Sequence, residues 1–236
     1  MNNNLILILL LCVLYFIIRN NNINHFDNDY SDYVIVCAKY TKNTDFLESI
    51  PIKSIVITKN IDVPNKANEA TSYLYYIIKN YDNLPNNIIF IHDENESWHH
   101  EGKITENIYK WIDEYEKNGG LYYEFNNRYF NVHRPKSMKK NIYEMFKVYW
   151  DYVFELPVTM FHNSPSTKRV CCAQFIVSKE VIRKRSIDFY KKIYYWLIGN
   201  SNENGSKKNH QDDEYSGYYM GMYLEWTWGN IFNPDQ

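Results

Sequence analysis

The chain has 236 residues, of which 45% are hydrophobic and 23% charged, with a formal charge of -2 at neutral pH. That length and balance suit one globular domain with an ordinary core and leave little chain for a second. A nearly neutral chain lacks the basic field of a general nucleic-acid binder, and no aromatic–basic repeat or zinc-finger spacing occurs, so nucleic acid is disfavoured as a partner.

The N-terminus carries an unbroken apolar run, Leu5–Ile18, between asparagine clusters and next to Arg19. A helix of that length rises about 21 Å against about 30 Å of bilayer hydrocarbon, short for a span but adequate with its flanks. A signal peptide is the competing reading, yet no basic segment precedes the run and no small-x-small cleavage site follows it. Residues 1–19 are therefore expected to be an uncleaved, single-pass membrane anchor. Arg19 alone does not fix which side the domain faces. Residues 20–32 read as a polar linker and 33–236 as a single domain.

Within that domain, Tyr33–Ala38 and Ile52–Thr58 are apolar strands separated by a short turn and helix, Lys42–Ile50. Asn65 and Asn68 have side chains that cap helices, and Tyr73, Leu74, Ile77 and Ile78 give the 3, 4 spacing of a half-buried helix. After the turn at Asp82–Asn87, the apolar strand Ile88–Ile91 delivers His92, Asp93, Glu94, His99 and His100 to a sheet edge, where α/β folds commonly place their chemistry. Ile104–Lys117 is a helix with Ile108, Trp111, Ile112 and Tyr115 on one stripe, stopped by Gly119-Gly120. Residues 122–165 read as an irregular insertion. Cys172–Val177 suggests another strand, Lys179–Arg185 a short helix and Ile187–Ile198 a longer one.

The polar segment Gly199–Gln211 is expected to be a mobile loop. A last helix, from about Ser216 through Trp228, buries Tyr219, Tyr223 and Trp226 or their neighbours and carries Glu225, an acid among large apolar residues that needs a partner or a function. The alternation of strands and helices predicts an α/β fold: one open, mostly parallel, Rossmann-like sheet with helices on both faces.

Cysteine usage shows no disulfide framework. Cys37 sits in a core strand, and Cys171-Cys172 reads as a packed thiol pair. Asn95 and Asn204 head glycosylation sequons, the first of them inside the candidate site.

Four ordered blocks, NKANEATSYLYYIIKNYDNLP, IFIHDENESWHH, CCAQFIVSKEVIRKRSIDFYKKIYYWLI and DDEYSGYYMGMYLEWTWGNIF, resemble the domain of unknown function 3431 family of fungal and large-DNA-virus proteins. The resemblance runs from about Tyr33 to Phe232. Ala67 departs from it, standing where relatives usually have Gly, and so does Asp93-Glu94, where relatives more often carry small or basic residues.

The order of elements is also similar to that of single-domain nucleotide-sugar glycosyltransferases, which implies a glycosyltransferase-A-like layout, a nucleotide-sugar donor and a glycan or protein acceptor. By that analogy Asp93 is the candidate ligand for Mg or Mn on a diphosphate. Glu225, Asp213 and His92 are candidate catalytic groups, and Trp98, His99, Asn68 and Glu69 candidate substrate contacts. Two alternatives stay open: a metal-dependent hydrolase built on His92, Asp93, His99 and His100 with His210 or Asp212, and a non-catalytic binding or virion-associated module.

Overall fold

The computed structural model describes residues 29–131, 133–163, 168–170, 172–204 and 213–233. The chain divides into two units, Met1–Ser31 and Asp32–Gln236. The expected anchor, residues 1–19, lies outside the described residues, as does the linker up to residue 28. Among the described residues no helix is long and apolar enough to cross a membrane.

The second unit is an α/β domain. Its strands are β1 (Tyr33–Lys39), β2 (Lys53–Thr58), β3 (Asn87–His92), β4 (Tyr122–Glu124), β5 (Tyr129–Asn131), β6 (Lys168–Val170) and β7 (Phe175–Ser178). Its helices are α1 (Ala70–Asn80), α2 (Ile104–Lys117), α3 (Lys140–Phe154), α4 (Thr159–His162), α5 (Lys179–Arg183), α6 (Ile187–Asn200) and α7 (Gly217–Phe232). Five strands form one open sheet in the order β2-β1-β3-β7-β4, and β5 pairs with β6 separately. β1 runs parallel to both β2 and β3. β7 is antiparallel to β3 and to β4, so β4 regains the direction of β3. The sheet is therefore mixed, which corrects the expectation of a mostly parallel one. Three apolar residues and a serine, Phe175–Ile176–Val177 with Ser178, carry no direction in their pattern, and the chain reaches β7 from the opposite end of the sheet after the insertion.

Side-chain alternation puts the two faces of the central strands to different uses. Val34, Val36 and Ala38 of β1, Ile88 and Phe90 of β3 and Phe175 and Val177 of β7 share one core with Tyr73, Ile77, Phe146, Trp150, Tyr223 and Trp228 of α1, α3 and α7. On the other face the Tyr33 ring meets Tyr115 of α2 edge-on, the Tyr33 hydroxyl donates to Glu116 at 2.7 Å, and the Tyr115 hydroxyl donates to Asn87 at 2.7 Å. The insertion is more regular than expected. α3 buries Ile142, Phe146, Tyr149, Trp150 and Val153, a helical stripe, and ends at Glu155 with a left-handed φ of 56° where a glycine would have marked the stop.

Two further expectations change. Neither Asn65 nor Asn68 caps α1, whose N-cap position is Glu69 without a side-chain capping bond. Cys172, at φ 84°, is disulfide-bonded and is not a packed thiol, while Cys37 is a free, buried one.

Phe90 lies at the centre of the aromatic core, 4.7 Å from the Tyr73 ring and 5.2 Å from Phe175 between ring centroids. Phe90→Ala removes that packing and leaves a cavity that flanking rings cannot fill. The expected loss is about 3–5 kcal/mol of folding stability, read from the urea midpoint of the full chain.

Candidate functional site

Adjacent strands β1 and β3 leave the sheet in different directions. β1 connects to β2 through the turn at Asp45–Ser49, and β3 connects to β4 through α2. Such a divergence opens a crevice beyond the carboxyl ends of the two strands, the usual ligand position in open α/β sheets. A cavity of about 160 Å³ lies there. Ala38 and Tyr40 line it from β1, His92 and Asp93 from β3, Lys59 from the end of β2, and Asn65, Asn68 and Glu69 from the turn into α1, with Asn204 opposite.

Asp93 builds the floor. Its Oδ2 accepts the backbone N–H groups of Tyr40 at 2.7 Å, Thr41 at 3.0 Å and Lys42 at 2.9 Å. Three amide donors make a buried carboxylate tolerable and fold the chain after β1 back over the end of β3. They occupy one oxygen, Oδ2, of the carboxylate that the sequence offers as a metal ligand. Among the described residues no group of three or more His, Cys, Asp or Glu side chains is arranged to hold a metal ion. His210 and Asp212, the remaining ligand candidates, lie outside the described residues.

The wall opposite β1 depends on a close approach between α7 and the turn before α1. Gly217, Gly221 and Glu225 are spaced by four and share one face of α7. A Cβ on Gly221 would sit 2.5 Å from Nδ2 and 2.7 Å from Cβ of Asn68, and one on Gly217 would strike Asn204 and the backbone of Asn202. Ala67 and Asn68 are both left-handed, with φ 53° and 46°. Ala67 thus holds a conformation that Gly adopts freely and an alanine adopts with strain. The twist aims Asn68 at α7, where its Nδ2 donates to Glu225 Oε1 at 3.2 Å and its Oδ1 accepts from Asn204 at 3.4 Å. Asn204 is fixed in turn by its N–H to the Asn65 carbonyl at 2.8 Å.

The electrostatics follow from enclosure. Burial, with Glu225 close by, raises the Glu69 carboxyl above its ordinary value, and Lys59 offsets only part of this. Burial lowers the Lys59 ammonium to about 7 against the opposing pull of Glu69. Burial also lowers His92 to about 3 and His99 to about 4, each imidazolium being disfavoured further by neighbouring histidines. At neutral pH both rings are uncharged.

The structure brings His92, Asp93, Asn68 and Glu69 to one cavity and joins Glu225 to it through Asn68. His99 lies just outside, its ring 5.3 Å from that of His92, and Trp98 packs on His99 at 4.1 Å with 64% of its surface exposed. Asp213 does not line the cavity. Its carboxylate accepts from Asn202 Nδ2 at 2.9 Å and from the Tyr215 N–H at 3.0 Å, which ties the segment leading to Asn204 to the start of α7. Sequence reasoning missed Lys59, Asn65 as a cavity residue and Asn204. Lys59 had one signal, its place just past the end of an apolar strand.

The chain matches the family described as Protein of unknown function (DUF3431) over residues 34–236. It belongs to the DUF3431 family. No curated protein and no solved structure matches it. The DUF3431 match takes in the sheet from the second residue of β1 onward and every residue of the cavity.

Gly221→Ala should displace Asn68 and separate it from Glu225, with a stability loss of about 1–3 kcal/mol and weakened binding of any ligand of the cavity, both read from thermal unfolding with and without ligand. The histidines set a pH dependence. With folded values near 3 and 4 and ordinary values of 6.5, the unfolded chain binds more protons in between, so their contribution to stability rises with pH from about 4 to 6.5 and is lost as pH falls. Glu69 opposes it, because a raised carboxyl contributes stability that is full below 4.5 and fades as pH rises through its folded value. His99→Gln should flatten the rise in urea midpoint between pH 4 and 6.5, and Glu69→Gln should steepen it.

Proposed function

We propose that this protein is a glycosyltransferase-like enzyme that uses a nucleotide-sugar donor, with Glu225 and Glu69 as its base and acid. The observation that carries the reading is the pairing of two carboxylates in different environments at the β1–β3 crevice. Glu69 is enclosed and favours its protonated form, and Glu225, close enough to act on it, accepts an amide N–H from Asn68. Two neighbouring carboxyls of which one favours its protonated form can divide into proton donor and proton acceptor. Neutral His92 beside them supplies a hydrogen bond to a substrate hydroxyl without adding charge.

Size and surroundings agree with a sugar. A cavity of about 160 Å³ admits a group about the size of one six-membered ring, so the rest of a donor lies across the open mouth beside Tyr40 and toward Trp98. The exposed Trp98 ring, reached from the cavity through His92 and His99, offers an apolar face for an acceptor. A sheet with a parallel β1–β3 centre and one reversed strand beside it is compatible with a glycosyltransferase-A-like layout, and fold analogy alone assigns no activity. We further propose that residues 1–19 tether this enzyme to a membrane, on the length and apolarity of that segment.

The test is a panel of nucleotide sugars offered to the purified chain with Mg or Mn. At least one should raise the thermal midpoint and support transfer or slow hydrolysis of the sugar. Glu225→Gln and Glu69→Gln should each lower turnover about 10²–10⁴-fold while folding cooperatively. Absence of any shift and any turnover across the panel, or full activity in Glu225→Gln, would sink the proposal.

A further inference from the structure

Lys59 is a lysine with almost no contact with bulk water, 5% exposed, whose side chain lines the cavity. Its backbone is held by the N–H bond to the Lys39 carbonyl at 2.8 Å and by the bridge between Lys59 and Val63. Its Nζ donates to the Lys66 carbonyl at 3.0 Å and to Thr71 Oγ1. Thr71 gives its own hydroxyl proton to the same Lys66 carbonyl at 2.8 Å, which leaves Oγ1 an acceptor toward Lys59. Two acceptors match the two hydrogens of a neutral amine, with the lone pair left over, whereas an ammonium would carry a third N–H. Burial favours the same form, since it lowers the group to about 7. Glu69, which acts on Lys59 electrostatically across the cavity, is held toward its protonated form, so a nucleophilic amine and a carboxylic acid share one small enclosure.

We propose that Lys59 captures the carbonyl group of a small hydroxyaldehyde or hydroxyketone as an imine on Nζ. The nitrogen lone pair attacks the carbonyl carbon, and the carbonyl oxygen takes the proton of Glu69. The nitrogen then returns a proton to the Glu69 carboxylate, giving a neutral carbinolamine. Glu69 protonates the hydroxyl, which leaves as water as the C=N bond forms, and the last nitrogen proton restores the acid. One amine and one carbonyl give one imine and one water, with no oxidant or reductant. The cavity volume limits the captured molecule to a few carbons, and the Asn65, Asn68 and Asn204 amides suit its hydroxyl groups. This chemistry needs no nucleotide sugar and stands apart from glycosyl transfer.

The experiment incubates the full chain with glycolaldehyde at pH 7.5, reduces imines with cyanoborohydride, and maps modified lysines by peptide mass spectrometry. An ordinary lysine with a pKa near 10.4 is about 0.1% neutral at that pH, so even with restricted access Lys59 should be labelled at least about tenfold faster than the median lysine. Glu69→Gln should slow labelling at Lys59 about tenfold or more and leave the other lysines unchanged. Labelling of Lys59 at or below the median, or only after the chain is unfolded in urea, would overturn the proposal, as would equal labelling in Glu69→Gln. A chain that labels at Lys59 but turns over no nucleotide sugar defeats the glycosyl-transfer reading alone, and the reverse outcome defeats this one alone.

Discussion

The carboxylate of Asp93 is the constraint on which the rest of the site depends. A single oxygen receives three successive backbone amides from Tyr40 to Lys42, so the segment leaving β1 is tied to the end of β3. Without that tie the two strands would still pair, because their ladder runs from Tyr33–Asn87 to Ala38–His92 without it. The loop beyond would lose its fixed path, and with it one wall of the cavity. A buried charge costs several kcal/mol if left unpaired, and backbone donors are the one compensation that cannot be lost by a side chain swinging away. The group that looks most like a metal ligand in the sequence is thereby committed to holding the backbone.

A second constraint sits across the crevice and has a different physical origin. Glycines at 217 and 221 let α7 approach the 65–69 turn closely enough for Asn68 to reach Glu225, and the turn meets the helix through two consecutive left-handed residues. Each of those residues costs roughly 1–2 kcal/mol relative to an unstrained conformation. The fully buried rings of Tyr73, Phe90, Phe175 and Trp228 beneath them supply packing energy of the size needed to hold such strain. Strain and two half-buried acids at one crevice are expensive features for a fold that serves only to be stable.

Much of this fold is written in the periodicity of the chain. The apolar runs of β1, β2 and β3 and the stripes of α1, α2 and α7 fall where their spacing puts them. The helix α3 was hidden although Ile142, Phe146, Tyr149, Trp150 and Val153 have helical spacing, because it has no side-chain cap at its start and ends on a left-handed Glu155 in place of Gly. The direction of β7 could not be read, since so short an apolar run looks alike in either sense. Asn65 and Asn68 have the right chemistry for caps, and only the backbone twist at Ala67 and Asn68 sends them elsewhere. Lys59 and Asn204 are ordinary residue types at a strand end and in a polar loop. Their meaning comes from what the topology places opposite them. The spacing Gly217, Gly221, Glu225 was the one local clue that a turn from far upstream must lie against this helix face.

Four ionisable groups in and beside the cavity share a direction. Lys59, His92 and His99 are each driven toward the uncharged base, and Glu69 toward the uncharged acid. Desolvation leads the causes in all four, so the enclosure suppresses charge of either sign and does not favour one over the other. A pocket shaped mainly by charge would show opposite shifts in partners that stabilise each other's ions, as exposed salt bridges do. Here the lysine and the glutamate act on one another, and burial still wins for both. A site of that kind keeps amine and acid available as proton carriers near neutral pH and the imidazoles as neutral hydrogen-bonding groups, an interior in which a bare charge is costly and a hydroxyl or carbonyl group is not.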